Sequence, residues 1–340
     1  MLPSPDPRQG ASLKARLVEI DFVGSVLLIG AIVSFTMGIN FGGILYEWSS
    51  GPEIALFVVA GVLFIVFGLQ QAFTVGVTRS RRLFPIDLIT SPKSARTVVI
   101  MFCTTAAGGC GIFVPVYFIP LFFQFTRGDS AVAAAVRLLP FILVMAFITL
   151  AQGALLSHPS GRYGLYMPWF LVGGCFAVAG GVLMYLVDRT TSQAWVYGAS
   201  ALTGAGVGMF TQAGFSIAQA SVPDEQHAMA AAFIALGQTA GITISLAIAN
   251  ALFLNRAEDT LQHILPPSIG QEQIEAAVAG VGGNFVEKLS PELQLQVLDA
   301  IVEAMCRPYI LVIVAGGLVA VLSLIMKRER LFLAVTAPGA

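Results

Sequence analysis

Apolar runs of membrane-crossing length constrain this chain more than anything else in it. A helix needs about 20 mostly apolar residues to cross the hydrocarbon of a bilayer. Eight stretches qualify, roughly 22–45, 53–77, 97–125, 131–156, 165–187, 194–220, 228–254 and 308–326. All are rich in Gly or Ala, as expected where helices approach closely in lipid. Hydrophobic residues make up 56% of the 340 and charged residues only 11%, against about a quarter charged in soluble domains. The mean hydropathy is +0.83. A chain this apolar cannot cover a surface facing water, so its partner is the lipid bilayer. The fold class expected is an all-α membrane protein with about eight transmembrane helices. A net charge of −1 argues against nucleic acid as a partner.

Lys and Arg orient the spans. With the N-terminus in the cytoplasm, Arg8, Lys14, Arg16, Arg79, Arg81, Arg82, Lys93, Arg96, Arg162, Lys327, Arg328 and Arg330 fall inside. Only Arg127, Arg189, Arg256, Lys288 and Arg307 fall outside. Both termini are therefore expected in the cytoplasm. The start, "MLPSPDPRQGASLKARLVEID", is polar and Pro-rich and has no apolar secretory core. The one sizeable outer loop is residues 255–307. Within it Ser290-Pro291 reads as a helix start. Leu293, Val297, Leu298, Ile301, Val302 and Met305 follow at helical spacing, so an amphipathic helix on the membrane or on the mouth of the bundle is expected.

Arg127-Gly128-Asp129 has the form of a cell-adhesion tripeptide, but it sits between the third and fourth spans. It reads instead as a tight outer turn: Gly supplies the turn, and Asp129 or Ser130 caps the next helix. Arg137 lies two turns further on, inside an apolar run. It has three uses open to it: snorkelling to the interface, accepting an anionic ligand, or pairing with Asp129.

Motifs for zinc proteases, nucleotide loops and serine hydrolases do not occur in the sequence, and His158, His227 and His263 all fall in loops. Cys103, Cys110, Cys175 and Cys306 are too scattered for a zinc site or a disulfide framework. The expectation is no enzyme, no metal and no cofactor. What remains is a set of polar side chains inside apolar helices: Gln124, Gln152, Gln212, Gln219, Gln238 and Asn250, with Arg137. Such groups tend to face a bundle interior or a water-filled path, although an amide can equally tie two helices together. With Phe113 and Tyr117 nearby, Gln124, Gln152, Gln212, Gln238 and Asn250 form a candidate lining for bulky amphipathic ligands. Pro115 and Pro120 are expected to break the third span, and "GAGVG" at 204–208 to let the sixth approach a neighbour. All 19 carboxylates fall in loops or at span ends, which leaves no evident proton carrier.

"YFIPLFFQFTRGDSAVAAAVRLLPF" (117–141), with Pro120, Gln124, Gly128, Ser130, Arg137, Leu138, Pro140 and Phe141 at their spacing, resembles a segment of the fourteen-helix drug:proton antiporter branch of the major facilitator superfamily. So do residues 204–253 and the inner turn "SGRYG" (160–164) that holds Arg162, and the long outer loop resembles that of fungal toxin and multidrug efflux pumps. The resemblance implies two linker helices (22–77), a cytoplasmic loop (78–96) and a six-helix C-terminal bundle (97–326) between polar ends at 1–21 and 327–340. It also implies that the first six helices of the family are missing. The roles expected of the residues are substrate contact for Gln124, Tyr117, Phe113, Gln152, Gln212, Gln238 and Asn250, and structure or gating for Arg137, Asp129, Pro120, Pro140 and Arg162. The implied function is efflux of amphipathic compounds by alternating access, proton-coupled in the complete family. The membrane would be the plasma membrane, with the vacuolar membrane as the alternative. A competing reading is a non-transporting chain that is inactive or acts only with a partner, either the missing bundle or another copy.

Overall fold

The computed structural model describes residues 21–42, 45–77, 82–84, 86–157, 164–266, 269–270, 274, 278 and 289–328. Every regular element among them is a helix. In order they are α1 (Phe22–Phe41), α2 (Gly51–Phe73), α3 (Ile86–Thr90), α4 (Ala95–Arg127), α5 (Ala131–Val136), α6 (Leu139–Leu156), α7 (Met167–Tyr185), α8 (Gln193–Gly208), α9 (Ala213–Ala220), α10 (His227–Ile264), α11 (Pro291–Cys306) and α12 (Tyr309–Leu324). Arg162 and most of the "SGRYG" turn lie outside the described residues.

Seven helical segments among the described residues are long and apolar enough to cross a membrane. The eighth expected span, 194–220, appears as α8 and α9 joined by a tightened turn. Met209 and Phe210 donate to carbonyls three residues back, at 3.2 and 3.3 Å. Gly204, Gly206 and Gly208 hold a helix weakly, and the tightened turn seats Thr211 against Gly108 of α4.

The expected break at Pro115 and Pro120 does not occur: α4 runs 33 residues through both prolines. Each proline removes one backbone bond, but α4 is buried against neighbours along most of its length, and that packing keeps the helix continuous. The interruption falls instead at Arg137–Leu138, between α5 and α6, where Pro140 stands in the first turn of α6 and needs no donor.

The loop expected from 255 is shorter than the sequence suggests, because α10 continues to Ile264. Ala257 and Leu261 lie one turn apart and are buried, and α10 packs there on α11. The amphipathic helix exists, capped by the Ser290 hydroxyl, which accepts from Leu293 N. It packs on α10 and α4 rather than lying free on a surface.

Apolar side chains gain little by leaving lipid for protein, so association here rests on close contact. The "GAGVG" segment supplies it: a Cβ on Gly204 would stand 2.5 Å from the Phe141 carbonyl oxygen of α6, and one on Gly208 2.7 Å from that of Met145. The Thr149 hydroxyl donates to the Gly208 carbonyl at 3.2 Å across the same seam. Helices α4 to α12 form one continuous core. The α1–α2 hairpin stands beside it, and α1 docks on α10. Ile39, Ala247 and Ala251 form a small separate cluster at that seam.

Candidate functional site

α4 organises the candidate site. Phe113, Tyr117 and Gln124 are spaced i, i+4 and i+11, which puts them on one stripe of the helix. Val114, Phe118, Ile119, Phe122 and Phe123 on the remaining faces are buried, while Phe113 and Tyr117 are exposed. One turn before Phe113, two neighbours converge on the helix. A Cβ on Gly109 would lie 2.8 Å from the Gln238 carbonyl oxygen of α10, and one on Gly108 would lie 2.6 Å from the Thr211 hydroxyl. The small residues of α4 therefore bring the backbones of Gln238 and of the α8–α9 turn, which carries Gln212, to the same level.

Three amides on these elements, Gln124, Gln212 and Gln238, make no side-chain hydrogen bond among the described residues. All three are at least partly accessible. Amides left open in an apolar bundle can accept and donate to a polar ligand while Phe113 and Tyr117 offer ring faces. Pro120 is half-buried in the same segment.

Gln124 shares the helix face but lies 15 residues beyond Gly109, about 22 Å further along α4, and the other two amides sit elsewhere again. Asn250 donates its Nδ2 to Asn40 Oδ1 of α1 at 3.1 Å, which ties the hairpin to the bundle. Gln152 of α6 is buried, and its Nε2 has no partner. Neither is brought into contact with the α4 stripe by a hydrogen bond among the described residues.

The Arg127-Gly128-Asp129 segment is a turn. Gly128 caps α4 in the left-handed conformation at φ +64°, where a side chain would be strained. Ser130, not Asp129, caps α5 by accepting from Ala133 N at 3.3 Å. Asp129 is taken by Arg137: Nε donates to Oδ2 at 2.7 Å. Arg137 Nη1 donates to Gln193 Oε1 at 2.9 Å and to the Tyr197 hydroxyl at 2.8 Å. Its guanidinium lies 4.9 Å from the centre of the Phe123 ring. With Nη2 donating to Asp129 Oδ1 at 3.4 Å, the guanidinium makes four hydrogen bonds, and the pair joins the end of α4, the α5–α6 junction and the start of α8. Pro140 shapes the α6 end of this junction.

Two polar features were not foreseen. Asp21, one residue before the first apolar run, accepts from Gln70 Nε2 at 3.2 Å and from Gln71 Nε2 at 2.6 Å. Gln71 Oε1 then accepts from Phe84 N at 2.9 Å. Phe84 packs edge-on to Phe67 of α2 and to Phe233 of α10. The adjacent "QQ" at the end of the second run was the available signal. The second feature is Glu53, in the first turn of α2. It is 0% exposed and neither carboxylate oxygen has a partner. The N-cap hydroxyl of Ser50 is likewise unpartnered, so the Ser-x-x-Glu capping spacing is present without the reciprocal bonds.

Comparison with known proteins shows the family. Residues 18–246 match the Major Facilitator Superfamily. The chain is 44% identical over 334 residues to MFS-type transporter pgmG of Aspergillus terreus, covering 98% of this chain and 58% of that protein. It is 40% identical to the phomenoic acid biosynthesis cluster MFS-type transporter of Leptosphaeria maculans, covering 99% and 55%. It is 39% identical to efflux pump alnA of Emericella nidulans, covering 99% and 60%. The chain thus spans a little over half the length of these curated relatives. Among solved structures, a bacterial homologue of the human lysosomal transporter Spinster, inward-facing and occupied, superposes with a TM-score of 0.51 at 16% identity, over 92% of this chain and 69% of that one; that likeness bears on the fold alone. The chain is a membrane protein of the Major Facilitator Superfamily.

Proposed function

We propose that this chain supplies one wall of an efflux permease that exports bulky amphipathic compounds by alternating access. The observation that carries the reading is the set of unpaired amides Gln124, Gln212 and Gln238 on α4, the α8–α9 turn and α10. The ring faces of Phe113 and Tyr117 supply the apolar part of a contact surface. The names of the fungal relatives, which include efflux pumps and a biosynthetic-cluster transporter, support the same direction. In this reading the other wall is a second bundle, either the counterpart of the length by which the relatives exceed this chain or another copy. The exposed Phe147 is a surface such a partner can cover. The host membrane is taken to be the plasma membrane, with both termini in the cytoplasm. Proton coupling belongs to the same proposal and is assigned to no residue here.

The test is cellular accumulation of a panel of fluorescent amphipathic compounds in cells expressing the complete reading frame. Gln124→Ala/Gln212→Ala/Gln238→Ala is expected to raise accumulation of at least some of them at equal surface expression. Unchanged export of every compound would remove these residues from the site.

A further inference from the structure

A groove of about 660 Å³ opens on the flank of the molecule between the end of α1 and α10. It is separate from the α4 stripe. Ile39, Ile248, Leu252 and Trp48 form its apolar wall, and Asn255, Arg256 and Asp259 line the remainder. The change of character follows the sequence of α10. That helix is apolar from Ala251 through Leu254 and then reads Asn-Arg-Ala-Glu-Asp. Such a change marks the boundary between hydrocarbon and headgroups, and Trp48 is of the type enriched there. The groove therefore straddles the membrane interface. Its occupant must have a tail on one side of that boundary and a head on the other.

The head is specified by the charges. Arg256 and Asp259 are one turn apart and 3.8 Å apart at their nearest atoms, and both are exposed. Arg256 also reaches Glu303 at 3.2 Å. Glu303 is shared with Arg307, so the groove itself presents one charge of each sign, Arg256 and Asp259. A purely anionic head would meet the Asp259 carboxylate as well as Arg256. A purely cationic head would leave Arg256 unused. A head with a phosphate next to an amine matches both signs. Asn255 commits its Nδ2 to the carbonyls of Ala251 and Gly42, at 2.8 and 3.4 Å, and its Oδ1 remains an open acceptor. The exposed indole of Trp48 offers a face to an ammonium group.

We propose that this groove holds one zwitterionic phospholipid. An acyl chain lies along Ile39, Ile248 and Leu252, the phosphate meets Arg256, and the amine meets Asp259 and Trp48. The lipid is a wedge in the seam between the α1–α2 hairpin and the bundle, beside the Asn40–Asn250 bond. It sets how closely α1 docks on α10.

The test reads Trp48 directly and does not depend on transport. The full chain carrying Trp169→Phe and Trp195→Phe is placed in vesicles of equal parts phosphatidylcholine and phosphatidylglycerol. One lipid or the other is brominated in its acyl chains, and quenching of Trp48 is measured. Brominated phosphatidylcholine is expected to quench severalfold more effectively. Arg256→Ala/Asp259→Asn is expected to erase the difference, with helix content unchanged by circular dichroism. Equal quenching by both lipids in the parent chain would show ordinary annular contact and overturn the proposal; so would a preference for phosphatidylglycerol. A phosphatidylcholine preference that survives in the double variant would overturn the assignment of the headgroup contacts. The parent comparison stands even if that variant does not fold.

Discussion

Arg137 closes on Asp129 eight residues earlier, Nε to Oδ2 at 2.7 Å, with roughly a quarter of the Arg137 side chain and less of Asp129 left accessible. The pair spans a helix end, a tight turn and a helix junction, and Gln193 and Tyr197 bring α8 into it. Removing one partner of such a pair leaves the others desolvated and unpaired. Arg137→Ala is expected to lower the melting temperature, by less than the loss of a fully buried pair because solvent screens part of it. Arg137→Lys keeps the charge but loses the fork and the stacking on Phe123, so it should fall between. Thermal unfolding in detergent reads both. A melting temperature for Arg137→Ala equal to the parent's would show that the pair is incidental.

The α6–α8 seam depends on Gly204. Gly204→Ala puts a methyl group against the Phe141 carbonyl and must separate the helices, for about 1–3 kcal/mol. Gly198→Ala, six residues earlier on α8, meets nothing within 4 Å. It should be neutral, or slightly stabilising from the gain in helix propensity. Equal melting temperatures for the two variants would remove the close-contact argument.

The hairpin and the bundle are joined by Asn40 and Asn250. A double-mutant cycle with Asn40→Ala and Asn250→Ala is expected to return a coupling of about 0.6 kcal/mol, typical of hydrogen bonds between helices in a membrane. A coupling indistinguishable from zero would return Asn250 to the pool of ligand contacts.

Glu53 is covered and unpartnered, which is costly for a carboxyl group. Glu53→Gln keeps the shape and removes the ionisable group, so the melting temperature at neutral pH should rise. A fall would mean that the carboxyl is held by an interaction that the amide cannot replace.

Much of this was legible in the sequence because lipid imposes a simple rule. A run of 20 or so apolar residues reads as a span whatever its neighbours are. The Gly128 turn, the Ser290 cap and the "GAGVG" contact were legible for the same reason: each depends on a few adjacent residues. Pro115 and Pro120 misled because a proline lowers helix stability locally, whereas burial of α4 along its length decides the outcome globally. Residues 255–264 misled because their charges resemble a loop, while Ala257 and Leu261 have a partner in α11 that lies some forty residues away.

The candidate site divides along the same line. Sequence identifies Gln124, Gln152, Gln212, Gln238 and Asn250 as amides in apolar helices, and at that level they are equivalent. Their environments separate them: Asn250 is spent on Asn40, Gln152 is enclosed, and the other three are open. Sequence by itself determined that the chain is a bundle of membrane helices, because hydropathy is a property of each residue summed along a run. Only the tertiary structure decided which polar groups are satisfied, because a hydrogen bond or a buried carboxyl depends on which helices pack together and at what distance.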